Sequence, residues 1–296
     1  GVRALADPDW RWLAAAVALG VGSMLLYARM QLVLLRGAGV ATRYRKVAAL
    51  GFAAHSLSIT LPGGALFSTA LNFRVMSRWG ASGAVASWVI AVSGALSATA
   101  LAVIGVVSGV LLGTRGELRD VAVALLAVAA LPLGAWVLRS RPEVGQLAGR
   151  LVAALAQRVG RGDPEQAHRR VLLGLQQLGE LRVGPLVWLR ASGASLVNWV
   201  LDAACLAMCI RAVGGEEVPP AGLLLAYTAT MAAASFNIVP AGLGVVDATL
   251  SVGLAAAGLP AHTAVAATAL YRLTTLGVIG GAGWVLWWWQ RRRREL

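Results

Sequence analysis

Charged side chains inside long apolar runs are the residues of this sequence whose types could do chemistry. Asp247 and Arg272 lie in two such runs, and Asp202 lies in the middle of a third, where Arg190, three turns earlier, is the one obvious local partner. An ionisable side chain inside a membrane costs about 2.5–3.5 kcal/mol on insertion scales, so it is usually paired or functional. We therefore take Asp202, Asp247 and Arg272 as candidate substrate-binding residues.

Asp247 and Arg272 are predicted to meet in the outer half of a bilayer. Asp247 follows Pro240 by seven residues, and Arg272 precedes Trp287 by 15, which is about 22 Å along a helix. An arginine fork can hold a phosphodiester through two hydrogen bonds, and a nearby carboxylate can orient that fork or bind a lipid amine. A structural salt bridge between the two segments is the alternative interpretation.

Two further polar residues complete the predicted substrate-binding set. Arg74 follows an apolar run directly, where it would either hold a phosphate arriving from the cytoplasm or extend to lipid head groups. Asn237 adds an amide at membrane depth, close to Pro240.

The composition predicts an all-α polytopic membrane protein. Of 296 residues 58% are hydrophobic and 13% are charged, and the mean hydropathy is +0.72. Several runs approach the roughly 20 apolar residues that cross a hydrocarbon core of about 30 Å. The net charge of +13 comes from basic residues that flank these runs. That pattern follows the positive-inside rule and favours anionic lipid head groups as partners, not nucleic acid.

The residues that bind metals or catalyse reactions are sparse. Cys205 and Cys209 lie one helical turn apart in an apolar run, and the three histidines are widely scattered. His55 is interpreted as a hydrogen-bonded core residue. No Ser-His-Asp set and no nucleotide-binding motif appears at a usable spacing, so we expect no metal, no cofactor and no catalytic residue.

Apolar runs and polar links predict one transmembrane domain over residues 1–296. Two runs are interrupted by turn-forming residues, the first at "LPGG" (Leu61 to Gly64) and the second at Pro240. A first repeat covers about 12–112 and contains the first interrupted run at 47–73. A connecting helix at 121–138 and a cytoplasmic basic segment at 139–182 follow. A second repeat covers about 183–289 and contains the second interrupted run at 221–259.

The charges of the links predict that the two interrupted runs face opposite sides of the membrane. Basic links without acids flank the first run, and "WWWQRRRR" after the last span places the C-terminus in the cytoplasm. The second run must then begin and end outside. We infer an inverted-topology repeat in which each copy carries a proline- and glycine-broken hairpin, re-entrant or fully crossing, with the transport site near the repeat interface.

The broken backbone itself is part of the predicted site. A proline removes a backbone donor, and unpaired backbone persists at membrane depth only beside protein or a water-filled cavity. Exposed amides of a half-helix that begins near Gly242 and Gly244 would attract an anion. The stretch around Pro240 is therefore expected to line a cavity, and the hairpin backbone residues of the predicted site are Pro62, Gly63, Gly64, Pro240, Gly242 and Gly244.

Two motifs carry a resemblance to a known family. "LPGG…FRVMSRWGAS" and "VPAGLGVVDATL…GLPAHTAVAATALYRL" resemble the lysylphosphatidylglycerol synthase/flippase transmembrane family, which includes the membrane half of the multiple-peptide-resistance proteins. The family usually has a glycine where Ala241 stands and a glutamate where Asp247 stands. The resemblance implies a bacterial inner-membrane protein that moves a lipid or lipid-linked molecule between leaflets. The aminoacyl-transferase half of the larger proteins is absent from these residues, so lysyl-lipid synthesis is not expected.

Three functions are carried forward from these observations. The leading hypothesis is a lipid flippase for an anionic or aminoacylated phospholipid or a polyprenyl-linked lipid. The alternatives are a membrane-embedded transferase on lipid-linked substrates, in which His55 would be the base, and a non-catalytic subunit that docks on a membrane enzyme.

Overall fold

The computed structural model describes residues 7–113, 183–235 and 242–292, and these ranges consist of helices and the turns between them. The predicted connecting helix 121–138 and basic segment 139–182 lie outside the described residues. In chain order the helices are α1 (Trp10–Gly37), α2 (Tyr44–Thr60), α3 (Gly64–Arg78), α4 (Gly83–Leu111), α5 (Pro185–Ala212), α6 (Pro220–Ser235), α7 (Val245–Ala256), α8 (Ala261–Arg272), a π-helical segment (Leu273–Ile279) and α9 (Gly280–Arg292).

Four helical stretches of the described chain are long and apolar enough to cross a membrane. They are α1, α4, α5 and the continuous stretch Ala261–Trp289 that joins α8, the π-helical segment and α9. Each has 28 or 29 residues, and 28 residues rise about 42 Å at 1.5 Å per residue, more than a hydrocarbon core requires. The prediction of an all-α polytopic membrane protein is confirmed.

The first interrupted run folds as two helices with a tight turn between them. α2 ends at Thr60 and α3 begins at Gly64, so Leu61, Pro62 and Gly63 form the link. Gly63 has a φ of 65°, which glycine adopts without strain. A Cβ at Gly64 would overlap the carbonyl oxygens of Leu57 and Ser58, so only a glycine lets α3 begin this close to α2.

The second interrupted run also separates two short helices. α6 ends at Ser235 and α7 begins at Val245. Gly244, with a φ of 86°, is the N-cap of α7, which therefore begins where the sequence predicts a half-helix. Pro240 and Asn237 lie outside the described residues.

α1 and α5 form the antiparallel pair at the centre of the fold. At one end of the pair the Asp9 amide donates to the Ala212 carbonyl at 2.9 Å. At the other end Gly37 lies against Val187, where an added Cβ would come within 2.8 Å of a valine methyl. Small residues at such points let helix backbones approach closely, which stabilises helix pairs in lipid.

The remaining helices form two groups around this pair, each with its own apolar core. In the first group α2 packs against α3 and also reaches α9, while in the second α6 packs against α7 and also reaches α4. The buried core of the first group runs from Ala28 to Leu96 and includes Ala191 of α5. The buried core of the second runs from Ala203 to Tyr271 and includes Ala16 of α1. Each core therefore includes residues from both helices of the central pair.

Candidate functional site: a polar cavity between the two helix groups

A cavity of about 350 Å³ lies between the two helix groups. Its volume falls at the lower end of the range of about 300–1,000 Å³ typical of ligand pockets. Residues of both helix groups line this cavity, so both halves of the described chain contribute to its wall. The polar residues that line it are Ser23, Tyr27, His55, Ser58, Ser68, Asn72, Asn198, Trp199, Asp202, Tyr271, Arg272 and Thr275.

Arg272 and Asp247 form an ion pair at this cavity. The Nε atom of Arg272 lies 2.8 Å from Oδ1 of Asp247, and the arginine side chain, 15% exposed, lies on the cavity wall. The other carboxylate oxygen of Asp247 accepts a hydrogen bond from the Gly244 amide at 3.0 Å. Asp247 thus stands in the first turn of α7, where an acidic side chain is favoured by the helix dipole. Both contacts hold the carboxylate still, and it in turn positions the guanidinium.

The helix that carries Arg272 changes its winding directly after this residue. Leu273–Ile279 is π-helical, between the α-helical turns of α8 and α9. π-Helical turns are rare in proteins overall, and those that occur are often found at functional sites. Thr275 and Leu276 of this segment line the cavity beside Arg272. The segment contains two threonines, a glycine and a valine, which favour helices only weakly, but a low helix propensity does not by itself predict a π-helical turn.

Asp202 of α5 is held by two tyrosine hydroxyls. Tyr227 of α6 donates to Oδ2 of Asp202 at 2.5 Å, and Tyr271 of α8 donates to the same oxygen at 2.7 Å. The sequence suggested Arg190 as the partner, and this is wrong, since Arg190 lies in a different cavity at the end of α5. Sequence reasoning missed both tyrosines. Their position could have indicated them, because each is a tyrosine, with a polar hydroxyl, in the middle of an apolar run.

Two polar atoms of the cavity wall have no hydrogen-bond partner among the described residues. They are the Oδ1 atom of Asn72 and the Nε1 atom of Trp199. The Asn72 amide nitrogen donates to the Ser68 carbonyl at 2.9 Å, which fixes the side chain. Buried polar groups without a partner are costly, so such atoms in a cavity wall indicate contact with a polar ligand or water.

The other polar and charged residues of the described chain are distributed unevenly around the cavity. Asn198 is joined to Ser23 across the α1–α5 interface at 3.0 Å and lines the cavity. His55 lines it too, on α2. Arg74 is exposed on α3 and is not among the lining residues. The structure therefore places Asp202 and Arg272 on the wall of one cavity, pairs Asp247 with Arg272, and leaves Arg74 outside the lining.

The described residues offer little for metal or thiol chemistry. In these ranges His, Cys, Asp and Glu side chains form no group of three or more that could hold a metal ion. Cys205 and Cys209 are buried free thiols in the core around α5.

A comparison with protein-family models matches residues 2–283 to the lysylphosphatidylglycerol synthase TM region. The chain belongs to this family. The match includes both interrupted runs, the ion pair and Asp202, so the resemblance inferred from the two motifs is confirmed. A comparison with curated proteins found no match. Family membership and the four spanning stretches together establish a membrane protein with a lipid-related function.

Proposed function

We propose that the chain is a flippase-like transporter that moves a lipid between the leaflets of a bacterial inner membrane. The substrate is an anionic or aminoacylated phospholipid, or a polyprenyl-linked lipid. The observation that carries this proposal is the guanidinium of Arg272 on the wall of the cavity between the two helix groups.

Arg272 suits a lipid head group because of its chemistry and its support. A guanidinium binds a phosphate through a planar fork of N–H donors. Asp247 contacts Nε at 2.8 Å and thereby sets the plane of that fork. The carboxylate of Asp202 faces the same cavity, where it would receive the amine of an aminoacylated or zwitterionic head group. The phosphate and the amine of one lipid would thus have separate partners in one pocket.

An inverted repeat would make such a cavity accessible from both leaflets in turn. The helix contacts support such a repeat, in which α5–α9 would correspond to α1–α4. In the first half α2 contacts α3, and it also contacts α9 of the second half. Its counterpart α6 contacts α7, and it also contacts α4 of the first half. In transporters built this way the substrate site lies at the repeat interface. The described cavity takes its lining from both halves.

The short helices of each half support re-entrant hairpins. α2, α3, α6 and α7 have 17, 15, 16 and 12 residues. At 1.5 Å per residue they rise about 18–26 Å, less than a hydrocarbon core of about 30 Å. A pair of such helices would enter and leave by one face, with the tight turn near the middle of the membrane. Arg74, exposed on α3, would recruit the head group before it enters the cavity.

The test measures leaflet exchange of a labelled anionic phospholipid in proteoliposomes. Wild type should accelerate exchange over protein-free vesicles, and Asp247→Asn and Arg272→Ala should each reduce the rate at least tenfold. Arg211→Ala is the matched control, because Arg211 also belongs to an ion pair, with Glu217, but lies at an end of α5 outside the cavity. Equal rates for Arg272→Ala and wild type would remove Arg272 from the mechanism. No acceleration by wild type with phospholipid or polyprenyl phosphate would contradict transport altogether.

A membrane-embedded transferase is the second candidate, and His55 is the observation that favours it. His55 lines the cavity with Asn72, where an imidazole could act as a general base on a lipid-linked substrate. Mass spectrometry of lipids incubated with the protein tests this candidate. A new lipid product that disappears with His55→Gln would support the transferase, while unchanged lipids with rapid exchange would support transport alone.

A further inference from the structure

A second cavity, of about 250 Å³, lies at one end of the α1–α5 pair and shares no lining residue with the central cavity. Three arginines line it: Arg29 and Arg36 of α1 and Arg190 of α5. The described lining residues include no acid, and apolar side chains such as Leu32 and Val187 supply the rest of the wall. Three positive charges therefore share one small concave surface.

Helix geometry explains why the three arginines converge. Arg29 and Arg36 are seven residues apart, two turns of α1, so they project from one face of that helix. α5 runs antiparallel to α1, which brings Arg190, in the second turn of α5, opposite them. Gly37 allows the close approach of Val187 that closes the cavity at its end. One Nη atom of Arg36 donates to the Thr42 carbonyl at 3.1 Å, which helps to orient this guanidinium.

The surroundings place this cavity at a membrane interface. All three arginine side chains are exposed, and the neighbouring Leu189 is 71% exposed, as a lipid-facing residue would be. Trp188 packs edge-to-face on Trp88 of α4 with ring centroids 6.1 Å apart. Tryptophans are enriched at the level of the lipid head groups. These features predict that the cavity opens at the level of the lipid phosphates.

At the opposite end of the same helix pair, an acidic residue neutralises the arginine. There Arg211 forms an ion pair with Glu217, and its guanidinium lies 5.0 Å from the centroid of the Trp12 ring. Asp9 caps α1 beside it. Acids accompany the arginine at that end, whereas the described lining of the second cavity has none.

We propose that Arg29, Arg36 and Arg190 bind the phosphate of an anionic phospholipid resident in the adjacent leaflet, at a site separate from the transport cavity. Basic pockets between membrane helices bind anionic head groups in this way. Three guanidiniums exceed the single charge of one phosphodiester, so a lipid with two phosphates binds more tightly than a lipid with one. The acyl chains lie along the exposed apolar side chains of α5.

The test measures lipid binding to the purified 296-residue chain in detergent by native mass spectrometry. Cardiolipin, phosphatidylglycerol and phosphatidylcholine are compared for wild type, for the triple variant Arg29→Gln/Arg36→Gln/Arg190→Gln, and for Arg11→Gln/Arg43→Gln/Arg78→Gln. The last variant removes the same charge from exposed positions outside the cavity. All three proteins are also measured with Arg272→Ala, so that lipid held in the central cavity is not counted.

Wild type should bind cardiolipin more tightly than phosphatidylglycerol, and phosphatidylcholine most weakly. The cavity variant should bind cardiolipin at least tenfold more weakly than wild type. The cardiolipin affinity of the control variant should stay within twofold of that of wild type. Cardiolipin binding by the cavity variant within twofold of wild type, or an equal loss in the control, would overturn the proposal. Inorganic phosphate that displaces cardiolipin at equal concentration would show a free-anion site instead. Should the triple variant not fold, Arg190→Gln alone must weaken binding at least threefold.

Discussion

Asp202 lines the central cavity and Asp247 pairs with an arginine on its wall, but the partners of the two carboxylates differ. Asp247 is 36% exposed and is paired with Arg272 and with a backbone amide. Asp202 lies mid-span, and the partners that the structure gives its carboxylate are the neutral hydroxyls of Tyr227 and Tyr271. One acid is balanced by an opposite charge, whereas the partners of the other among the described residues are neutral hydroxyl dipoles.

The difference indicates that the two acids have different tasks. In the proposed transporter, the pair of Asp247 and Arg272 would present a fixed guanidinium to a lipid phosphate, and its two charges balance each other before the phosphate binds. Asp202 ties three helices, α5, α6 and α8, to one carboxylate oxygen, so its first role is to hold the second helix group together. In the proposed transporter the ion pair serves binding, and the tyrosine-bound acid serves both stability and binding of the amine.

The largest expected effect comes from exchanging the charges of the ion pair. Asp247→Arg or Arg272→Asp alone should lower the free energy of unfolding by about 2–3 kcal/mol, because breaking a buried pair costs about 3–5 kcal/mol and Asp247 is partly exposed. The double variant should recover most of that stability. It should not recover lipid exchange, since the guanidinium has left the cavity wall.

The measurements for the charge exchange are thermal unfolding in detergent and exchange in proteoliposomes, with Arg211→Ala as the control for loss of an ion pair elsewhere. Full recovery of exchange in the double variant would show that the pair is a structural salt bridge between α7 and α8.

A smaller effect is expected at Asp202. Asp202→Ala leaves two tyrosine hydroxyls without an acceptor and should lower the free energy of unfolding by about 2 kcal/mol, since an unsatisfied buried group costs about 1–3 kcal/mol. Asp202→Asn keeps an acceptor oxygen and should cost about half as much. Unfolding by denaturant in detergent measures both, with Glu217→Ala as an exposed acidic control. Stability of Asp202→Ala equal to that of the control would contradict a structural role.

The smallest effect separates the two tyrosines. Tyr227 is fully buried, whereas Tyr271 borders the cavity, where water can replace its hydroxyl. Tyr227→Phe should therefore lower the free energy of unfolding by about 1 kcal/mol and Tyr271→Phe by about 0.5 kcal/mol. The same unfolding measurement decides the order. A larger loss for Tyr271→Phe would mean that its hydroxyl, and not that of Tyr227, is the main donor to Asp202.

Local patterns explain why much of the fold could be predicted. A run of about 20 apolar residues crosses a membrane wherever it occurs, because lipid leaves the backbone no partner except its own helix. The spans α1, α4 and α5 therefore begin and end within a few residues of their predicted limits. The break at Leu61 to Gly64 follows equally from local chemistry, since a proline and two glycines end a helix there. The inverted arrangement and the re-entrant path of the hairpins remain predictions.

Only the three-dimensional arrangement could assign the partners. Arg190, three turns before Asp202, is the partner that the sequence suggests, yet it lines a cavity with Arg29 and Arg36, while Asp202 accepts a hydrogen bond from a tyrosine 69 residues away. Positions along one helix determine which residues share a face, but the crossing of helices determines which faces meet. Apolar runs, breaks and charges at depth are local properties, so the sequence by itself determined them. The ion pair's place on a cavity wall, the tyrosines around Asp202 and the arginine cavity depend on packing between distant helices, so only the tertiary structure decided them.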